Sequence, residues 1–69
     1  MSDIAIQIQL LEEPEGWVWK ELREIIEEGQ AASLGNRTYE FHTYSDGCSF
    51  QIALDNHNIK YEVTSIGND

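Results

Sequence analysis

The chain has one cysteine, Cys48, so no disulfide can close within it. With only His42 and His57 beside that cysteine, no structural zinc site is expected. Basic residues are scarce: Lys20, Arg23, Arg37 and Lys60 stand against 13 acids, for a net charge of −9. Such a surface repels nucleic acid and anionic membrane, and attracts basic surfaces instead. It offers neither a glycine-rich phosphate loop nor a basic and aromatic platform for bases. No apolar run approaches the roughly 20 residues needed to span a bilayer. The opening residues Met1, Ser2 and Asp3 lack a basic stretch followed by an apolar one, so a cytoplasmic location is expected.

What remains is one small domain, residues 1–69, with 41% hydrophobic residues, too apolar for a disordered acidic tail. A chain of this size buries only about 60% of the surface it exposes when unfolded. The acids are unevenly placed. Glu12, Glu13, Glu15, Glu21, Glu24, Glu27 and Glu28 fall in one short stretch, offset there only by Lys20 and Arg23.

Periodicity divides the chain. Ile4, Ile6, Ile8 and Leu10 alternate with Ala5, Gln7 and Gln9, which predicts a strand near 3–11 with one buried face. From about Glu15 to Glu28, Val18, Leu22, Ile25, Ile26 and Gly29 share a stripe at helical spacing, with Trp19 on its border. Pro14 suits a helix start. Two ends are compatible with this pattern, a stop at Gly29 or a continuation through Leu34.

The second half reads as a three-stranded meander over 37–45, 48–55 and 58–66. An Asp46-Gly47 turn pairs Thr43 with Phe50, Phe41 with Ile52 and Tyr39 with Leu54. A second turn at Asn56-His57 pairs Leu54 with Ile59, Ile52 with Tyr61 and Phe50 with Val63. One sheet face then stays apolar throughout, and a slip of one residue would bury Glu40, Gln51 or Glu62. The expected class is α+β: one helix packed on a four-stranded, mostly antiparallel sheet, in the order β-α-β-β-β. The first strand can join parallel to the last, at the far edge of the meander. Phe41, Phe50, Ile52, Tyr61, Leu22 and Ile25 are the expected core.

The residues expected to meet a partner are Glu12, Glu13, Glu15, Trp17, Glu21, Glu24, Glu27 and Glu28. A helical wheel groups Glu21, Glu24 and Glu28 with Trp17 on one flank. Glu27 and Glu28 sit at the negative end of the helix dipole, and Lys20 and Arg23 precede Glu24 and Glu27, the weaker order for an i,i+4 pair. The charge therefore does not serve the helix. A solvated helix face and a partner surface both account for it. Trp17 fits a binding anchor; a ring folded back over the sheet edge or the Pro14 loop is the other reading of its place in the first helical turn. Cys48 reads as a small core residue on the face opposite His42. Glu40, His42 and Glu62 have the spacing of ordinary alternate strand positions. No catalytic, metal or cofactor site is expected.

In size, charge and the Glu12 to Glu28 cluster, the chain resembles small acidic antagonist proteins that phages encode, of the anti-CRISPR and DNA-mimic type. The resemblance implies a non-enzymatic inhibitor that blocks a basic, nucleic-acid-binding partner protein, without direct contact to nucleic acid or membrane. A small homodimeric adaptor and an acidic immunity or antitoxin protein are the alternative expectations.

Overall fold

A computed structural model describes the backbone over residues 4–67 and the side chains over 5–64. The elements are β1 (Ile4–Leu10), α1 (Gly16–Glu28), β2 (Ala32–Gly35), β3 (Thr38–Phe41), α2 (Tyr44–Asn56) and β4 (Tyr61–Gly67). The strands form one sheet in the order β2-β3-β1-β4, antiparallel at every junction. This is the split β-α-β, or ferredoxin-like, connectivity. The class is α+β as expected. The order is β-α-β-β-α-β, however, and the layer on the sheet holds two helices rather than one.

Strand β1 lies inside the sheet, antiparallel to both β3 and β4, and not at a far edge parallel to the last strand. Its alternation accounts for that place. Ile6, Ile8 and Leu10 are buried beneath the helices, while Gln7 and Gln9 face the open side. Helix α1 buries Val18 and Leu22 and rests Trp19, Ile25 and Ile26 against the core. It stops at Glu28, and does not continue through Leu34, because Gln30 turns to φ 53° and the Ala31 N–H bonds back to the Ile26 carbonyl at 3.0 Å. Residues 32–35 then form β2, joined to β3 through Asn36 and Arg37 at φ 52° and 57°, a tight turn whose twist suits a hairpin.

The meander expected over 37–66 is not formed. Strand β3 ends at Phe41, and residues 44–56 are helical. None of the pairings expected between Thr43 and Phe50, Phe41 and Ile52, or Tyr39 and Leu54 exists, nor those of Leu54, Ile52 and Phe50 with Ile59, Tyr61 and Val63. The reason is that Thr43 caps a helix whose first turn contains Asp46, so Asp46-Gly47 does not turn a hairpin. The Thr43 hydroxyl accepts the Asp46 N–H at 3.2 Å and donates to the Asp46 carboxylate at 2.8 Å. Gly47, Phe50 and Leu54 then fall on one buried stripe. Ile52, expected in the core, is 60% exposed. Asn56 and His57 end the helix: Asn58 takes φ 57° and the Ile59 N–H returns to the Leu54 carbonyl at 2.9 Å.

The core centre nevertheless holds Phe41, Phe50 and Leu22, fully buried, with Tyr61 and Ile25 half-buried against it. Phe50 packs tilted against Phe41 and edge-on to Tyr39, at ring separations of 5.0 and 5.8 Å. Gly47 lets α2 approach β1 closely, since a Cβ there would collide with Ile6.

Candidate partner-binding site

Three segments meet at one end of the molecule: the loop after β1, the first turn of α1, and the turn between α2 and β4. They border an open cleft of about 380 Å³ whose lining includes Glu12, Glu13, Glu15, Trp17 and His57. Each loop carboxylate is held by a local donor. Glu12 accepts the Lys60 N–H at 2.9 Å, tying the loop to the start of β4. Glu13 accepts the Trp19 indole N–H at 2.9 Å and lies 3.5 Å from the Arg37 guanidinium. Glu15 accepts the Trp17 indole N–H at 2.8 Å. All three remain exposed, so these bonds set direction more than stability.

Trp17 lines the cleft beside Pro14 and stays largely in solvent. It is 65% exposed, with its N–H on Glu15 and the ring set edge-on to His57 at 5.2 Å. The His57 Nε2 in turn lies 2.9 Å from a Glu21 carboxylate oxygen. Sequence places His57 in a hairpin turn and gives it no catalytic, metal or cofactor role; it is the residue that sequence reasoning missed. Its signal was its position: His57 is the C-cap residue of α2, where its backbone N–H returns to the Ala53 and Leu54 carbonyls and leaves the imidazole free to reach α1. That cap places it against a helix 36 residues earlier in the chain.

The remaining acids extend away from the cleft. Trp17, Glu21, Glu24 and Glu28 follow one another at helical spacing along one flank of α1. His57 meets this flank at one end, and at the other Gly29 packs against Asp46 at the start of α2. The stripe thus borders the seam between the helices. Glu27 lies off it, on the solvent side of α1. Glu24, Glu27 and Glu28 make no hydrogen bond or ion pair among the described residues, and neither Lys20 nor Arg23 reaches them.

The cleft lining supplies carboxylates, an indole and an imidazole, and contains no serine, cysteine or lysine. Carboxylates and an indole face both attract cations. Cys48 is half-buried on α2 rather than on a strand, and His42 is exposed between β3 and α2. Glu40 and Glu62 lie on the open sheet face, where Glu40 accepts from the Gln7 amide at 3.2 Å. No group of three or more His, Cys, Asp or Glu gathers as a metal site among the described residues. No helix there is long and apolar enough to cross a membrane. The Tyr61 hydroxyl donates to Asp55 at 3.0 Å, and its pKa is raised, first by burial, then by this bond and the carboxylate's charge.

Comparison with protein families, curated proteins and solved structures gives no match. The fold alone hosts many unrelated functions, so function has to be argued from the site.

Proposed function

We propose that the chain is a non-enzymatic binding protein that occupies a basic, nucleic-acid-binding surface of a partner protein. Glu12, Glu13, Glu15, Glu21, Glu24, Glu27 and Glu28 supply the charge, and Trp17 supplies the anchor. The observation that carries this reading is Trp17, a large ring left 65% exposed yet held in place among carboxylates. Single exposed apolar residues are common on any protein. An oriented indole beside a cleft is different, because a partner's lysine or arginine can stack on its face while the carboxylates neutralise the cation. Glu24 and Glu28, which make no ion pair among the described residues, prolong the same field along α1. A partner surface built to hold phosphates presents the matching charge. The general likeness to phage-encoded antagonists supports the same reading.

Salt tests it. Binding that depends on these carboxylates weakens as ionic strength rises, because their field is screened over roughly 8–10 Å at physiological salt. Replacing Glu21, Glu24 and Glu28 together by lysine slows association and cuts capture of the partner from lysate. Trp17→Ala instead raises the dissociation rate. Equal capture by wild type and the triple variant at low and high salt would sink the electrostatic reading.

A further inference from the structure

The two edges of the sheet differ. At one edge β2 has four residues and a register shift between Ser33 and Gly35. Short, bulged edges of this kind resist pairing with another strand. At the other edge β4 runs seven residues in unbroken register with β1. Its sequence, Tyr61 to Gly67, has no proline, no lysine and one charge, Glu62. Apart from Glu62, the sequence-level devices that blunt an edge are missing from this strand, and its register with β1 has no bulge.

Two hydrogen bonds fix which groups of β4 point outward. The Leu11 N–H donates to the Lys60 carbonyl at 2.8 Å, and the Leu10 N–H donates to the Arg37 carbonyl at 3.0 Å. Antiparallel partners alternate between bonded and non-bonded pairs. In the β1–β4 register, Glu62 and Thr64 therefore bond inward to Gln9 and Gln7. The backbone groups of Tyr61, Val63 and Ser65 face away from β1, and no strand lies beyond them among the described residues.

We infer that β4 is a dimerisation edge, on which two copies of this chain pair antiparallel about a two-fold axis at Val63. That axis sets Val63 against Val63, and Tyr61 of each copy against Ser65 of the other. Every outward N–H and C=O of those three residues then meets its counterpart, with no register shift needed. Isologous pairing of this kind is the usual route to a closed dimer. Side chains agree with it. Val63 shares the helix-covered face with Ile8 yet stays 40% exposed, and a second copy covers it. The bond from Tyr61 to Asp55 turns the flank of α2 carrying Asp55, Gln51, Cys48 and Tyr44 toward the same edge, where the Tyr44 ring is exposed. The acidic stripe of α1 borders the other flank of α2, so the dimer leaves it free.

The test is sedimentation equilibrium up to about 1 mM chain, near the weakest affinity of interest. The expected result is a monomer–dimer equilibrium that tightens with salt, since each copy carries −9. Binding to a basic partner responds to salt in the opposite sense, so the two proposals fail separately. Val63→Pro removes only an outward N–H and is expected to stay monomeric with an unchanged circular dichroism spectrum. Val63→Lys is the second variant, and Leu34→Lys on the β2 edge is expected to dimerise as wild type does. Amide exchange of Tyr61, Val63 and Ser65 is expected to slow with concentration, while Glu62 and Thr64 are protected throughout. A wild type that is monomeric at every concentration overturns the inference. So does a dimer that survives both Val63 variants, or protection of the three amides that appears only when a different protein is added.

Discussion

The two helices have the same length, 13 residues, and are held in opposite ways. Helix α1 has a wide apolar stripe and a charged remainder, and no side chain caps its start. Helix α2 is capped by Thr43 and packed tightly enough to need a glycine at its contact with β1. One side of each helix therefore does a different job. The outer flank of α1 is free to carry charge, because burial on its inner stripe already fixes it. Local chemistry and close approach define α2. The proposed partner surface lies mainly on α1, whose exposed flank is not needed to hold the helix in place.

The largest test of this contrast is Phe50→Ala. Phe50 is fully buried against Phe41 and Tyr39, and its loss is expected to cost about 3–5 kcal/mol. A domain this small has little more than that to lose. Thermal unfolding followed by circular dichroism reads the outcome, and a loss under about 1 kcal/mol would mean that α2 is not packed as described.

Glycine to alanine sharpens the comparison by sign. At Gly47 a methyl group meets Ile6, and the expected cost is about 1–3 kcal/mol even though alanine is the better helix former. At Gly16, the first residue of α1, nothing lies within 4 Å of an added Cβ, and the change is expected to be neutral or to stabilise by about 0.4–1 kcal/mol. Denaturant titration of the two variants checks both signs. The caps differ likewise. Thr43→Ala is expected to cost about 1 kcal/mol, and Glu15→Ala, which removes no capping bond, much less.

These differences also explain what was legible in the sequence. Strand β1 and helix α1 each follow one period, and each lies where its pattern predicts. In the segment from 44 to 56, Phe50 and Leu54 are four apart, which is both two strand repeats and about one helical turn. Their burial therefore could not choose between strand and helix. Asp46-Gly47 then carried a hairpin signal and, with Thr43, a capping signal, and only the second is used. At the site, Trp17 and its carboxylates were readable because they are close neighbours in sequence, along the loop after β1 and the start of α1. His57 was not, because its contact with them depends on where α2 ends.

A pH titration probes the side of α2 that faces β4. The Tyr61 hydroxyl titrates above its ordinary 10.0 in the folded chain, because burial and Asp55 disfavour the phenolate. An unfolded chain ionises first, so this contribution is complete below about pH 10 and is lost as pH rises through the folded-state value. Asp55→Asn is expected to bring the tyrosine absorbance titration back toward the ordinary value.

Ile52 gives the smallest expected effect and the sharpest division between the two readings of α2. In a strand register Ile52 sits opposite Phe41 inside the core, and Ile52→Ala would cost about 2–5 kcal/mol. On the outer side of α2 it is 60% exposed, and the lost contacts are few. Alanine also has the higher helix propensity, by a few tenths of a kcal/mol. The two terms nearly cancel, so the expected change in stability is within about 0.5 kcal/mol. A chemical denaturation midpoint equal to wild type fits the helix, and a loss of more than about 2 kcal/mol would return residues 48–55 to the sheet.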